Sequence, residues 1–135
     1  MRRVTAIVVT WNRARDVLGV LESLSKQVAE GVRLEVIVVD NASTDGTATA
    51  VRDAGWVGTR VENEAEEAHE PRFTVVERVG TACRGAISDV TVIRNARNFG
   101  GCGGFNTGML AVECGLGREE HQARRKAGGP VAPRE

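Results

Sequence analysis

The sequence predicts an α/β domain of parallel strands flanked by helices, and three observations predict it. Val4-Thr5-Ala6-Ile7-Val8-Val9 is an apolar, largely β-branched run of strand length. Strands of this composition are buried on both faces, as in sheets covered by helices. Leu34-Glu35-Val36-Ile37-Val38-Val39 repeats the pattern. Between the two, Val17, Leu18, Leu21 and Leu24 recur at helical spacing, so strand, helix and strand form one crossover unit with a right-handed connection.

The first strand stops at Thr10-Trp11-Asn12-Arg13. Ligands of open α/β sheets sit beyond the carboxyl ends of the strands, so this tetrad falls where a site is expected. Read locally, it is equally a strand that ends in a plain turn. The amphipathic period then predicts a helix over residues 14 to 27, with Asn12 able to cap it and Asp16 near its positive end. Gly31 breaks the pattern before the second strand. Asp40-Asn41-Ala42-Ser43-Thr44-Asp45-Gly46 follows that strand, and Ser43 or Thr44 can begin a short helix running to about Gly55.

From Trp56 to Asp89 the pattern is weaker. Glu62, Glu64, Glu66, Glu67 and Glu70 form an acidic run without a clear period, which predicts a solvated loop. Phe73 to Val79 reads as an inserted edge strand and Val90 to Arg94 as the next core strand. Asn95 to Gly108 is a glycine-dense turn feeding a helix from about Phe105 to Cys114. Residues 115–135 are rich in Arg and Lys and poor in apolar groups, and are expected to be disordered. The predicted organisation is one domain over residues 1–114, with 57–89 as an insert or loop, and a basic tail over 115–135.

A chain of 135 residues is one domain's worth, and its 18 basic and 18 acidic residues cancel. No net field argues for nucleic acid or an anionic membrane as partner. Cys83, Cys102 and Cys114 are odd in number and show no C-x-x-C spacing, which favours free thiols and a cytoplasmic setting. No apolar run reaches the roughly 20 residues that cross a bilayer, so any membrane association is expected to be peripheral. The two histidines lie in no zinc-binding pattern.

The glycine-rich segment fails the common phosphate motifs. Gly101-x-Gly103 is followed by Asn106 where the dinucleotide fingerprint needs glycine, and Met109 and Leu110 stand where a P-loop needs Lys and Ser or Thr. Tight strand-to-helix packing remains as good an explanation of these glycines as a ligand. Asp40, at a strand end, can accept a hydrogen bond from a base imino N–H or a sugar hydroxyl, whereas Asp45 is better placed to favour the following helix. Trp11 offers a flat face to a nucleobase, or packs as a partly buried side chain.

Val-Val-Thr-Trp-Asn-Arg at the first strand, Val-Ile-Val-Val-Asp-Asn-Ala-Ser-Thr-Asp-Gly-Thr at the second and Arg-Asn-Ala-Arg-Asn-Phe-Gly-Gly-Cys-Gly-Gly-Phe-Asn-Thr-Gly at the third resemble family 2 glycosyltransferases. The likeness is to the amino-terminal, nucleotide-binding half of the GT-A (Rossmann-like) fold, and covers residues 4–55 and 90 to about 114. The third segment is most similar to bacterial enzymes that transfer rhamnose or galactofuranose onto cell-wall and surface polysaccharides. The resemblance implies a nucleoside diphosphate sugar donor, UDP- or dTDP-linked. Thr10, Trp11, Asn12 and Arg13 would then line the nucleotide site, Asp40 would recognise the base, and Asn98, Gly100, Gly101 and Asn106 would approach the ribose and phosphates.

The sequence also departs from that family. The family's divalent metal, Mg or Mn, is held by an Asp-x-Asp cluster on a later strand, and here the last aspartate is Asp89. The half that supplies the acceptor site and the catalytic base has no counterpart, so the expectation is a glycosyltransferase fragment inactive alone. The alternatives are a non-catalytic nucleotide-binding module completed by a partner chain and, more remotely, a Rossmann-type oxidoreductase.

Overall fold

The computed structural model describes residues 2–28, 30–80 and 83–116. The elements in chain order are β1 (Arg2–Thr10), α1 (Ala14–Ser25), β2 (Val32–Asp40), α2 (Thr47–Asp53), β3 (Thr59–Asn63), β4 (Phe73–Arg78), β5 (Ile87–Asn95) and α3 (Gly100–Cys114). They build a five-stranded sheet in the order β1-β2-β5-β3-β4. The first four in that order run parallel, and β4 lies antiparallel to β3 at the edge. The α/β class is as the sequence predicts.

Successive side chains of a strand point to opposite faces, and here both faces are covered. Leu34, Val36 and Val38 of β2 with Val90 and Val92 of β5 pack on Val17 and Leu21 of α1 and Val51 of α2. Ile37 and Val39 of β2, Val61, Phe73 and Ile93 pack on the other face with Ala111 and Cys114 of α3. Burial on both sides is why the strands read as continuous apolar runs and not as alternating ones.

Three elements differ from expectation. Thr59–Asn63 is a strand, wedged between β5 and β4, with Thr59, Val61 and Asn63 buried. Glu62 and Arg60 occupy its half-buried alternate positions, and the acidic run hid that period; residues 64–72 remain a loop carrying Glu64, Glu66, Glu67 and Glu70. Phe73–Arg78 is the edge strand expected there, so two of the five strands lie within residues 57–89. Helix α2 starts at Thr47 after Gly46, three to four residues later than the sequence suggests, and ends at Asp53. Of the tail predicted over residues 115–135, Gly115 caps α3 and Leu116 is buried in the core beside Cys114, against the expected disorder, while 117–135 lie outside the described residues.

The third difference is α3, which begins at Gly100 rather than near Phe105. Its glycines lie against the sheet. A Cβ on Gly104 would sit 2.6 Å from Val9 Cγ1 and 2.7 Å from Asn41 Nδ2, and one on Gly108 would sit 2.5 Å from Ile7 Cγ2. Both spots face stiff side chains of the sheet edge, so the helix reaches this depth only without side chains there. Two further contacts fasten the other face: Arg52 of α2 grips Glu77 of β4 through Nε–Oε1 and Nη2–Oε2 at 2.7 and 3.0 Å, and the Arg84 guanidinium stacks 3.9 Å from the centre of the buried Trp56 ring.

Glycine substitutions separate the two roles of a helical glycine. Gly19→Ala, in the exposed middle of α1 with nothing within 4 Å of a new Cβ, is expected to stabilise by about 1 kcal/mol through helix propensity. Gly108→Ala gains the same propensity but must displace Ile7, and is expected to destabilise by about 1–3 kcal/mol net of it. Urea unfolding of both variants checks the opposite signs.

Candidate functional site

The carboxyl ends of β1, β2, β5 and β3 form one edge, and the sequence-predicted residues gather there in two groups. The first is the corner between β1 and β2, where Thr10 and Asp40 are register partners. The Asp40 carboxylate is buried; its Oδ1 accepts the Ser43 N–H at 3.1 Å and the Ser43 hydroxyl at 2.5 Å. Ser43 Oγ in turn accepts the Asn12 N–H at 2.8 Å. Asn12 Oδ1 accepts the N–H groups of Thr44 and Asp45 at 2.8 and 3.3 Å, so the loops after β1 and β2 are latched to each other.

This latch replaces the expected cap. Asn12 does not cap α1; Arg13 takes the N-cap position without a side-chain bond, and its guanidinium lies 3.6 Å from Asp16 in solvent. Asn12 has φ +50° and Ala42 has φ +61°, the left-handed region that costs a residue with a Cβ about 1–3 kcal/mol where bonds around it enforce it. Asp45 serves the helix as expected: its Oδ1 accepts the Thr47 N–H at 3.0 Å and the Thr47 hydroxyl, a pairing that lowers its pKa.

Within this corner Trp11 is 52% exposed, so its ring is available rather than packed away. Thr10 beside it is 5% exposed, and its Oγ1 is the one buried side-chain nitrogen or oxygen among the described residues with no hydrogen-bond partner. An unmet buried hydroxyl costs about 1–3 kcal/mol unless something else bonds it.

The second group lies where β5 gives way to α3. Gly100 has φ +77°, and its N–H donates to Asn98 Oδ1 at 2.8 Å. Asn98, Gly100 and Gly101 are exposed at the helix start, and Phe99 at the N-cap makes no side-chain cap bond. Asn106 is also exposed, one helical turn further on, but its Nδ2 donates to the Ala68 carbonyl of the 64–72 loop at 3.1 Å.

Sequence reasoning missed the residues between these groups. Asn41, Asn95 and Asn63 are buried at the ends of β2, β5 and β3 and bond to one another: Asn63 Nδ2 to Asn95 Oδ1 and Asn95 Nδ2 to Asn41 Oδ1, both at 2.9 Å. For Asn41 and Asn95 a signal was available, since each closely follows an apolar run, whereas Asn63 ends a strand that the sequence did not disclose. Arg94 was missed as well. It pairs in register with Asp40 on one side and Glu62 on the other, so Asp40, Arg94 and Glu62 make a row of alternating charge on the α1/α2 face.

Burial raises the Glu62 pKa above its ordinary 4.5, against the opposing pull of Arg94 and Arg60. The carboxylates of this edge do not converge. Asp40 is taken by Ser43, Asp45 by Thr47, and Glu62 is separated from Asp40 by the Arg94 strand. Among the described residues no group of three or more His, Cys, Asp or Glu side chains is placed to hold a metal ion.

A mostly parallel sheet flanked by helices, with its loops latched at the carboxyl edge, is a partial GT-A, Rossmann-like fold. Residues 5–70, from β1 into the loop after β3, match the family model described as Glycosyl transferase family 2, which supports the resemblance to family 2 glycosyltransferases. No curated protein and no solved structure matches the chain. The matched span contains Thr10 to Arg13 and Asp40, while Asn98, Gly100, Gly101 and Asn106 lie beyond it. No helix among the described residues is long and apolar enough to cross a membrane.

Glu62 carries a pH signature. A carboxyl whose folded pKa is raised binds its proton more tightly folded than unfolded, so stability falls as pH rises from about 4.5 through the folded value. Glu62→Gln is therefore expected to raise Tm at pH 7, with the gain over the parent shrinking as pH drops through 4.5. A lower Tm at pH 7 would show instead that attraction to Arg94 and Arg60 outweighs desolvation.

Proposed function

We propose that the carboxyl edge binds the nucleoside diphosphate of a sugar-nucleotide donor, and that the chain is the donor-binding part of a glycosyltransferase. In this reading the base stacks on Trp11 and Asp40 accepts its imino N–H; Thr10, Asn12 and Arg13 complete the nucleoside wall. Asn98, Gly100, Gly101 and Asn106 meet the ribose and diphosphate at the start of α3. The observation that carries the reading is the orphaned Thr10 hydroxyl, buried next to an exposed tryptophan and in register with a buried carboxylate. A bound nucleoside would supply the missing partner.

Arg13 and Arg94 are exposed cations near the edge, and the positive end of a 15-residue helix favours a diphosphate. The donor is read as UDP- or dTDP-linked, the acceptor as a cell-wall or surface glycan, and the sugar as rhamnose or galactofuranose, on the likeness of the third segment. Exposed, unpaired Cys83 and Cys102 agree with a cytoplasmic setting, with any membrane contact peripheral to the inner face. The family's divalent metal does not fit the described carboxylates, each of which is engaged or kept apart. On this reading the described residues hold a donor, and the chain is expected not to transfer its sugar by itself.

Calorimetry with UDP, dTDP and NAD tests this. UDP or dTDP is expected to bind in preference to NAD, and Trp11→Ala is expected to weaken binding roughly tenfold or more, from the about 1–3 kcal/mol per stacked base. Asp40→Asn should weaken it as well, since it removes the charge that accepts the imino proton. NAD preference, or affinity unchanged in both variants, would overturn the assignment, whereas sugar transfer by the purified chain alone would overturn only its expected inactivity.

A further inference from the structure

The edge holds a second device, built from side chains other than those just assigned to the nucleotide. Asn63, Asn95 and Asn41 are each no more than 2% exposed and stand at the ends of three adjacent strands. Their amides are threaded in one direction. Asn63 donates to Asn95, Asn95 donates to Asn41, and Asn41 Nδ2 donates to the Gly100 carbonyl, each at 2.9 Å.

Both ends of the thread are anchored on backbone. Asn63 Oδ1 accepts the N–H groups of Ala65 and Arg72 at 3.2 and 2.9 Å, which closes the 64–72 loop. At the other end Asn41 Oδ1 also accepts the Phe99 N–H at 3.4 Å, so one amide holds both sides of the turn into α3. Asn95 Nδ2 further donates to the Thr107 hydroxyl at 3.2 Å, about two turns along the helix. Reversing any of the amides would set oxygen against oxygen or N–H against N–H, so the direction of the thread is fixed. Room for the Asn41 amide exists because Gly104, with no Cβ, lies directly against it.

The function of the thread follows from where Asn41 stands. It is the residue after Asp40, and consecutive strand positions project to opposite faces. Asp40 faces the α1/α2 side, where the nucleoside is read, while Asn41 grips the helix start on the other. The spacing between base-reading carboxylate and phosphate-facing turn is thus set by one dipeptide.

Resting on the nucleotide assignment above, we propose that Asn41, backed by Asn95 and Asn63, is a positioning residue that holds the Phe99–Gly100 turn at diphosphate distance from Asp40. Cutting the thread leaves the nucleoside subsite intact and lets the helix start shift. Diphosphate affinity then falls while nucleoside affinity does not.

The test is the preference of the full chain for UDP over uridine, measured by calorimetry beside thermal unfolding. Asn41→Ala is expected to reduce that preference about tenfold with uridine affinity changed less than twofold, the scale of a lost hydrogen bond acting on one subsite only. Asn63→Ser, which touches neither Gly100 nor the nucleoside corner, should lower the preference less and in the same direction, and serves where Asn41→Ala does not fold. Equal loss of both ligands, or an unchanged preference in every folded variant, overturns the positioning role while leaving the nucleotide assignment standing. If the parent chain binds neither ligand, the nucleotide assignment itself falls.

Discussion

The hydrogen bond from Asn41 to the Gly100 carbonyl joins parts of the chain that are 59 residues apart, and the architecture of the edge depends on it. It is part-buried: the Asn41 amide is 2% exposed and would lose a partner without it, and an unmet buried polar group costs about 1–3 kcal/mol where a satisfied one contributes about 0.5–1.5. Asn41 also donates its backbone N–H to the Thr10 carbonyl at 2.9 Å, which prolongs the β1–β2 pairing by one residue. The same residue therefore ties β1, β5 and α3 to the end of β2.

The glycines around this bond divide their labour. Gly104 and Gly108 lie against Asn41, Val9 and Ile7, and a Cβ on Gly103 would meet Phe99 Cβ at 2.5 Å. All three are packing glycines, and Gly104 and Gly108 bring α3 down onto the β1–β2 edge. Gly100 is needed for its positive φ, and Gly101 alone has neither a close neighbour nor an unusual backbone angle. A glycine-rich stretch that looks like a ligand loop is thus mostly a helix flattened onto a sheet, with its first two residues left open to solvent.

On the opposite face the same edge is polar and strained. Asn12 and Ala42 hold left-handed conformations because Asp40, Ser43 and Asn12 bond in series across the two loops. That series fixes the backbone on either side of Trp11 and leaves the Thr10 hydroxyl unmet. The corner thus combines one unsatisfied buried group with one exposed ring, the two features on which the proposed nucleotide reading rests.

The sequence by itself determined the α/β class, the β1-α1-β2 unit and the strand-end tetrads, because continuous apolar runs and a 3.6-residue period are properties of neighbouring residues. It also placed Asp45 at the start of α2, since cap chemistry is local. It did not disclose β3, whose alternation of Thr59, Val61 and Asn63 is broken visually by Glu62 and makes sense only between β5 and β4. Nor did it disclose where α3 begins, since glycine's poor helix propensity is overridden by the depth of packing on Ile7 and Val9. Asn12 exchanging a cap for a latch, and the Asn63–Asn95–Asn41 thread, were settled by tertiary structure alone: their partners lie 31 to 59 residues away, and only the parallel register of the sheet brings those strand ends side by side.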